Sequence, residues 1–274
     1  MARPRQDVFS RTTLLFAVIA LAGPFLPLLV ASVAFRWAWP NLLPSEWWWS
    51  ARAEARLPLA WDYVFSPVSG AVGALLNTVV IAGVVTLLCT VVCLPAARVL
   101  ASGTRGKSAA EFVLLTPLIV PEIAVGLGVF VLFSRFGLTG SYVGVVLAHL
   151  IPTIPYMTRV LTTSFQGLGS DYEAQARVLG AGPFRAFWRV TLPLVLPGLL
   201  AGWLFVFLVS SNLFLLTFLV GRGQLETLPT LLFAKLSAGG VLDPVAAGLA
   251  LLASLPGVVL LLLLERVMEH VKAV

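Results

Sequence analysis

Glu122 is an acid inside an apolar stretch, preceded by Pro117 and Pro121 in Thr116-Pro117-Leu118-Ile119-Val120-Pro121. A carboxylate in hydrocarbon is costly and is kept for a function, because lipid gives it no solvation. Eleven residues separate it from Glu111 at the polar end of the stretch, which at about 1.5 Å per helical residue puts it roughly 16 Å deep, near mid-bilayer. Two readings stand for it: a site on the path of a cationic solute, or a protonated or paired brace for a helix broken by the two prolines. Ser210, Ser211 and Asn212, with Thr217 farther along, form a second polar group that hydrogen-bonds without charge. It suits a solute path or helix packing through small polar residues. Catalysis has no comparable foothold, since neither histidine has a nucleophile paired with it. Cys89 and Cys93 lie one helical turn apart with no His, Asp or Glu beside them to complete a metal site, so they read as packing residues and no metal or cofactor is expected.

The longest polar interruption in the second half of the chain ends in Pro193 and carries Arg177, Arg185 and Arg189. Ser170-Asp171-Tyr172-Glu173 has the Ser-x-x-Glu form of a capping box, in which the Glu173 carboxylate returns to the Ser170 amide. A helix is predicted from there to Gly180, where glycine tolerates the left-handed terminus, and Gly182-Pro183 opens a second short helix. On the first helix Tyr172, Ala176 and Leu179 share a face, with Ala174 in the same small-residue run and Gln175 and Arg177 flanking it. Glu173 has a capping role and a docking role open to it. Gly103-Thr104-Arg105-Gly106-Lys107-Ser108 resembles a phosphate loop only in part. The full pattern needs four residues between its glycines and a preceding strand, so ATP binding by this chain is not expected.

These residues are carried by a chain of 274 residues that is 59% hydrophobic and 11% charged, with mean hydropathy +0.99. A soluble domain would be about a quarter charged. Stretches of about 20 apolar residues must be helices in lipid, where every backbone polar group needs an internal partner. The expectation is an all-α polytopic membrane protein with six transmembrane helices, at about 12–35, 71–96, 112–133, 142–164, 194–220 and 242–264. The first is read as an uncleaved span, being long for a secretory signal. An even number puts both termini on one side. With the N-terminus inside, twelve Lys and Arg fall in inner segments and six in outer ones, which places both termini in the cytoplasm. A net charge of +6 is thereby explained by topology, since the basic residues are scattered among loops, and no nucleic-acid partner is expected.

Residues 1–69 are read as the first helix and an outer loop, 70–264 as a transmembrane core with the polar loop 165–193 inside it, and 265–274 as a cytoplasmic tail. Six of the eight tryptophans, Trp37, Trp39, Trp47, Trp48, Trp49 and Trp61, lie in the outer loop. They form an aromatic belt at the headgroups or a landing surface for an extracytoplasmic partner.

From Gly180 onward the polar loop is similar to the EAA motif of permease subunits of binding-protein-dependent ABC importers, the MetI-like family. The family pattern is Glu-Ala-Ala, three residues, Gly, nine residues, Ile, one residue, Leu-Pro. Here nine residues follow Gly180, then Val190 stands in the Ile slot, followed by Thr191, Leu192 and Pro193. Upstream the spacing departs: Glu173 is seven residues before Gly180 where the pattern has six, and Gln175 stands where many members have Ala. The likeness extends over 70–220, with Leu76-Asn77-Thr78 opening the second span and Ile154-Pro155-Tyr156 in the fourth. It implies a five-helix core in spans two to six with one helix added in front. It further implies an inner-membrane transport subunit that is not itself an enzyme, with a cytoplasmic ABC ATPase docked on Ser170, Tyr172, Glu173, Ala174, Ala176, Arg177, Leu179, Gly180 and Pro193. A second permease subunit in a heterodimer and an extracytoplasmic solute-binding protein complete the implied assembly. The stretch around Glu122 looks like the spermidine/putrescine-type members, whereas Ser210-Ser211-Asn212 replaces the acids those members carry. Sugar-type and inorganic-ion importers stay open as alternatives. From another class, so does a self-contained secondary transporter, for which no inverted repeat is visible.

Overall fold

The computed structural model describes residues 13–14, 16–37, 41–51, 59–103, 106–168, 171–239 and 243–272. The chain divides into two compact units, 1–72 with 231–254 and 73–230 with 255–274. In the first unit residues 16–22 are helical, the chain turns at Gly23-Pro24, and α1 (Phe25–Ser32) follows. Proline lacks the N–H that a continuing helix needs, which places the break there. The described part of the expected first span is therefore in two pieces, and β1 (Ala34–Arg36) begins before its expected end. β1 pairs antiparallel with β2 (Glu46–Trp47), with Ala34 opposite Trp47 and Arg36 opposite Glu46. Trp47 and Trp49 stack with ring centroids 4.8 Å apart, and after α2 (Leu59–Val64) the Lys235 ammonium lies 5.2 Å from the Tyr63 ring centroid and 3.3 Å from Asp243. Trp39 lies outside the described residues.

The second unit is built around α3 (Ala71–Ala101), whose first two residues belong to the first unit. Ile81, Val85, Cys89, Cys93 and Ala97 recur every four residues on α3 and are at most 1% exposed, so they form one buried stripe. The two cysteines thus pack in the core, with the Cys89 sulfur 3.4 Å from Thr153 Oγ1. Next come α4 (Lys107–Ile119) and α5 (Glu122–Arg135), whose axes differ by 99°, so the expected third span is a bent pair. α6 (Tyr142–Leu168) supplies Val145, Ala148, Met157 and Leu161 to the core. It leads to α7 (Asp171–Val178), α8 (Pro183–Ala186), a π-helical turn at Phe187–Thr191, and α9 (Leu192–Asn212). A non-helical step at Leu213-Phe214 separates α9 from α10 (Leu215–Gly221), so the expected span 194–220 is also broken. α11 (Leu228–Gly239) has residues 228–230 in the second unit and the rest in the first, and α12 (Pro244–Lys272) has residues 244–254 in the first and the rest in the second.

Close contact of α9 with α6 depends on small residues. A Cβ at Gly202 would stand 2.5 Å from the Met157 sulfur, and one at Gly198 would overlap the Ser164 hydroxyl. Such i, i+4 glycines let helix backbones approach where lipid provides no hydrophobic drive. Trp203 donates to Thr90 at 2.8 Å and ties α9 to α3. At the other end of α3, Asn77 donates to the Glu226 carbonyl at 2.8 Å and accepts from Tyr142 at 2.6 Å. Among the described residues four helical runs are long and apolar enough to cross a membrane, Ala71–Ala101, Tyr142–Leu168, Pro183–Asn212 and Pro244–Glu269, or five spans when the bent pair counts as one. The expected count of six is not reached among these residues, because residues 12 and 15 of the expected first span lie outside them and its described part is interrupted at Gly23-Pro24.

Candidate functional site

The polar loop folds as its local sequence requires. α7 stops at Gly180, whose φ of +85° is a left-handed value that a side chain strains to adopt. The Ala181 amide reaches the Ala176 carbonyl at 3.0 Å and the Gly180 amide reaches Arg177 at 2.9 Å, the paired bonds of a Schellman terminus. Gly182 then precedes Pro183 in the first turn of α8, and Pro193 sits in the first turn of α9. The residues of the expected α7 face differ in exposure. Ala176 is buried, whereas Tyr172, Ala174, Arg177 and Leu179 are exposed, the last at 87%. With Val178, Phe184 and Trp188, also exposed, Tyr172 and Leu179 give this loop a mostly apolar outer surface.

Glu173 has partners that the sequence reading did not foresee. Arg98 Nη2 donates to both carboxylate oxygens, at 2.7 and 2.8 Å, and Arg177 Nη2 donates to Oε1 at 2.8 Å. Ser170, the other member of the expected box, lies outside the described residues. A carboxylate that accepts three charge-assisted bonds from guanidinium groups is directed by them, since such bonds are roughly twice as strong as neutral ones.

Glu122 opens α5 just past the bend, after Val120 and Pro121 have gone extended. The straight-helix count of its depth holds only to Ile119, because the axis then turns by 99°. The bend borders a cleft of about 470 Å³ lined by Glu122, Pro121, Pro152, Tyr156, Leu213 and Leu216 among others. Glu122 is exposed and is the only charged residue among the described residues that line it.

The second polar group is brought together by a residue to which the sequence reading gave no role. His149 of α6, 1% exposed, sits with Nδ1 2.9 Å from Ser210 Oγ and Nε2 2.8 Å from Thr217 Oγ1. Thr217 gives its own hydrogen to the Leu213 carbonyl at 2.8 Å, so its oxygen accepts from Nε2–H, and Nδ1 accepts from Ser210. The imidazole thereby clamps α9 and α10 across the step at Leu213-Phe214. Ser211 is buried with no partner for its hydroxyl, and Asn212 is exposed and bonded to the Leu208 carbonyl at 2.8 Å. The four expected path residues are thus divided: Glu122 lines the cleft, Thr217 belongs to the clamp, and Ser211 and Asn212 lie on neither. A histidine within an apolar span was the signal for His149. Among the described residues no group of three or more His, Cys, Asp or Glu could hold a metal ion. The stretch resembling a phosphate loop follows a helix, and α4 begins at Lys107.

Residues 90–273 match the family described as the binding-protein-dependent transport system inner membrane component. A molybdenum transport system permease protein of Mycobacterium tuberculosis is 35% identical over 207 residues, covering 69% of this chain and 76% of that protein. A putrescine transport system permease protein of Escherichia coli is 30% identical over 142 residues, covering 49% of this chain and 50% of that one. In three dimensions the chain is similar to a chain of a bacterial ABC transporter involved in the import of the acidic polysaccharide alginate. The TM-score is 0.70 over 97% of this chain and 98% of that one, and at 15% identity the likeness shows the fold alone. An α-helical chain with membrane-crossing helices, a glycine-stopped loop helix before Leu192-Pro193 and a family match over two-thirds of its length belongs to the binding-protein-dependent inner-membrane components, the permease subunits of ABC importers.

Proposed function

We propose that this subunit carries a small polar solute from an extracytoplasmic binding protein into the cytoplasm, paired with a second permease in a heterodimer and driven by an ATPase docked on residues 171–193. The observation that carries the docking is the loop itself. Its helix ends at a left-handed glycine, and Tyr172, Val178, Leu179, Phe184 and Trp188 form an exposed apolar surface next to Arg177, Arg185 and Arg189. Basic loops stay on the cytoplasmic side, and a clustered apolar surface there marks an interaction site. ATP is hydrolysed by the partner. Closure of its dimer moves the loop, and rigid-body motion of the attached helices exchanges an outward-open for an inward-open path.

The solute reading rests on the Glu122 cleft, where a single carboxylate on a mostly apolar lining favours an organic cation such as a polyamine. An oxyanion is the second reading, favoured by the 35% identity to a molybdenum permease. Uptake of labelled putrescine and of molybdate into vesicles holding the full complex, with its own binding protein, separates them. The cation reading expects putrescine uptake that Glu122→Gln lowers at least about tenfold, the effect of losing a charge-assisted contact. Molybdate uptake indifferent to Glu122→Gln selects the oxyanion and removes Glu122 from the solute path.

A further inference from the structure

One guanidinium joins three elements that are far apart in sequence. Arg98, in the last turn of α3, holds both oxygens of Glu173 on α7, and its Cζ lies 5.2 Å from the ring centroid of Phe187 in the π-helical turn that runs directly into α9. Glu173 is largely covered, its side chain 19% exposed, and Arg177 closes the network from one turn along α7. The chemistry is specific to arginine. A planar guanidinium hydrogen-bonds along its edge while its face lies on an aromatic ring, which a lysine ammonium cannot do at once.

A partly exposed ion pair adds little to stability, about 0 to 1 kcal/mol. The network therefore acts through geometry. Besides Arg98, α7 meets the unit through Ala176, the turn at Gly180 and its packing on α8 and the π-helical turn. With Arg98, a displacement of α7 is passed both to the end of α3 and, through Phe187, to the entry of α9. These two helices carry much of the buried core, Ile81 to Ala97 on one and Val195, Leu199 and Val206 on the other.

We infer that Arg98 is a positioning residue that braces the docking helix against α3 and α9, so that movement imposed on α7 shifts both helices together. The inference rests on the reading of α7 as the ATPase's docking helix. Its absence uncouples transport from ATP hydrolysis and leaves the fold and the ATPase in place.

The test uses the complete importer in vesicles and reads solute imported per ATP hydrolysed, a ratio that a purely structural role would not move at constant recovery of the complex. Arg98→Glu and Glu173→Arg are each expected to lower the ratio about tenfold, as for loss of a charge-assisted bond. The exchanged pair, Arg98→Glu with Glu173→Arg, returns it to within about threefold of the parent, because the attraction is restored without the stacking on Phe187. Arg98→Lys and Glu173→Gln, milder changes that keep the complex intact if the reversals do not, give intermediate ratios. A parental ratio in the single reversals, or in both milder variants, overturns the brace. So does an exchanged pair no better than its singles. Docking is judged separately, by whether the ATPase co-purifies with a Gly180→Val chain.

Discussion

At the residue scale the His149 clamp makes the sharpest thermodynamic statement. Its imidazole satisfies two buried hydroxyls on either side of a helix break, and a buried donor or acceptor left without a partner costs about 1–3 kcal/mol. His149→Leu orphans Ser210 and loosens Thr217, whose oxygen then keeps only its bond to Leu213. The expected result is a lower unfolding midpoint of the purified subunit in detergent. Adding Ser210→Ala and Thr217→Val to His149→Leu should recover part of that loss, because apolar groups of similar shape leave nothing unpaired. A triple variant less stable than the sum of its singles would show that the clamp is not a closed hydrogen-bond network. Glu122 is the opposite case. It is exposed to a cleft rather than enclosed by partners, so its removal is expected to be read in uptake, as tested above, and not in stability.

At the element scale, the α7–α8 corner depends on one backbone conformation. A β-branched residue at Gly180 would have to adopt φ near +85°, at a cost of about 1–2 kcal/mol, and would release the paired bonds from Gly180 and Ala181. No atom crowds a Cβ there, so the penalty is conformational and not steric packing. Gly180→Val is expected to leave the chain inserted in the membrane while ATPase recovered by co-purification drops severalfold, in line with that strain. Full recovery of the ATPase would remove residues 171–180 from the docking surface. The π-helical turn at Phe187–Thr191 belongs to the same scale. It widens the backbone just where Phe187 meets Arg98, and such turns recur at functional sites.

At the scale of the whole molecule, the expected orientation rests on the two-to-one distribution of Lys and Arg between the inner and outer segments of the sequence reading, and labelling tests it. With Cys89 and Cys93 first replaced by Ala, a cysteine at the exposed Gln175 should react with an impermeant thiol reagent only in permeabilised cells, and one at the exposed Leu42 should react in intact cells. Labelling of position 175 from outside would invert the topology and remove the ATPase from the loop. Since the two background cysteines are fully buried, their replacement by a smaller residue is the step to check for lost stability before the labelling is read.

What the sequence determined by itself was local. Lipid leaves an apolar run no alternative to a helix, so the helices at 71–101, 142–168, 192–212 and 244–272 were legible from composition. The corner at Gly180, Gly182 and Pro183 was equally legible, because glycine and proline act through their own φ values. Prolines at 117 and 121 announced a break in the third span. The 99° between its halves was not legible there, nor was the close approach of α5 to α10, where a Cβ at Gly126 would lie 2.9 Å from Leu219. The step at Leu213-Phe214 has neither Gly nor Pro to mark it, and it is held by a histidine more than sixty residues earlier. Glu173 offered a cap for its own helix to a local reading, and its pair with Arg98, 75 residues away, had no local signal. Backbone preference is written within a turn or two of chain, whereas the partner of a buried or half-buried polar group is chosen by which helices meet. That choice exists only in the folded bundle.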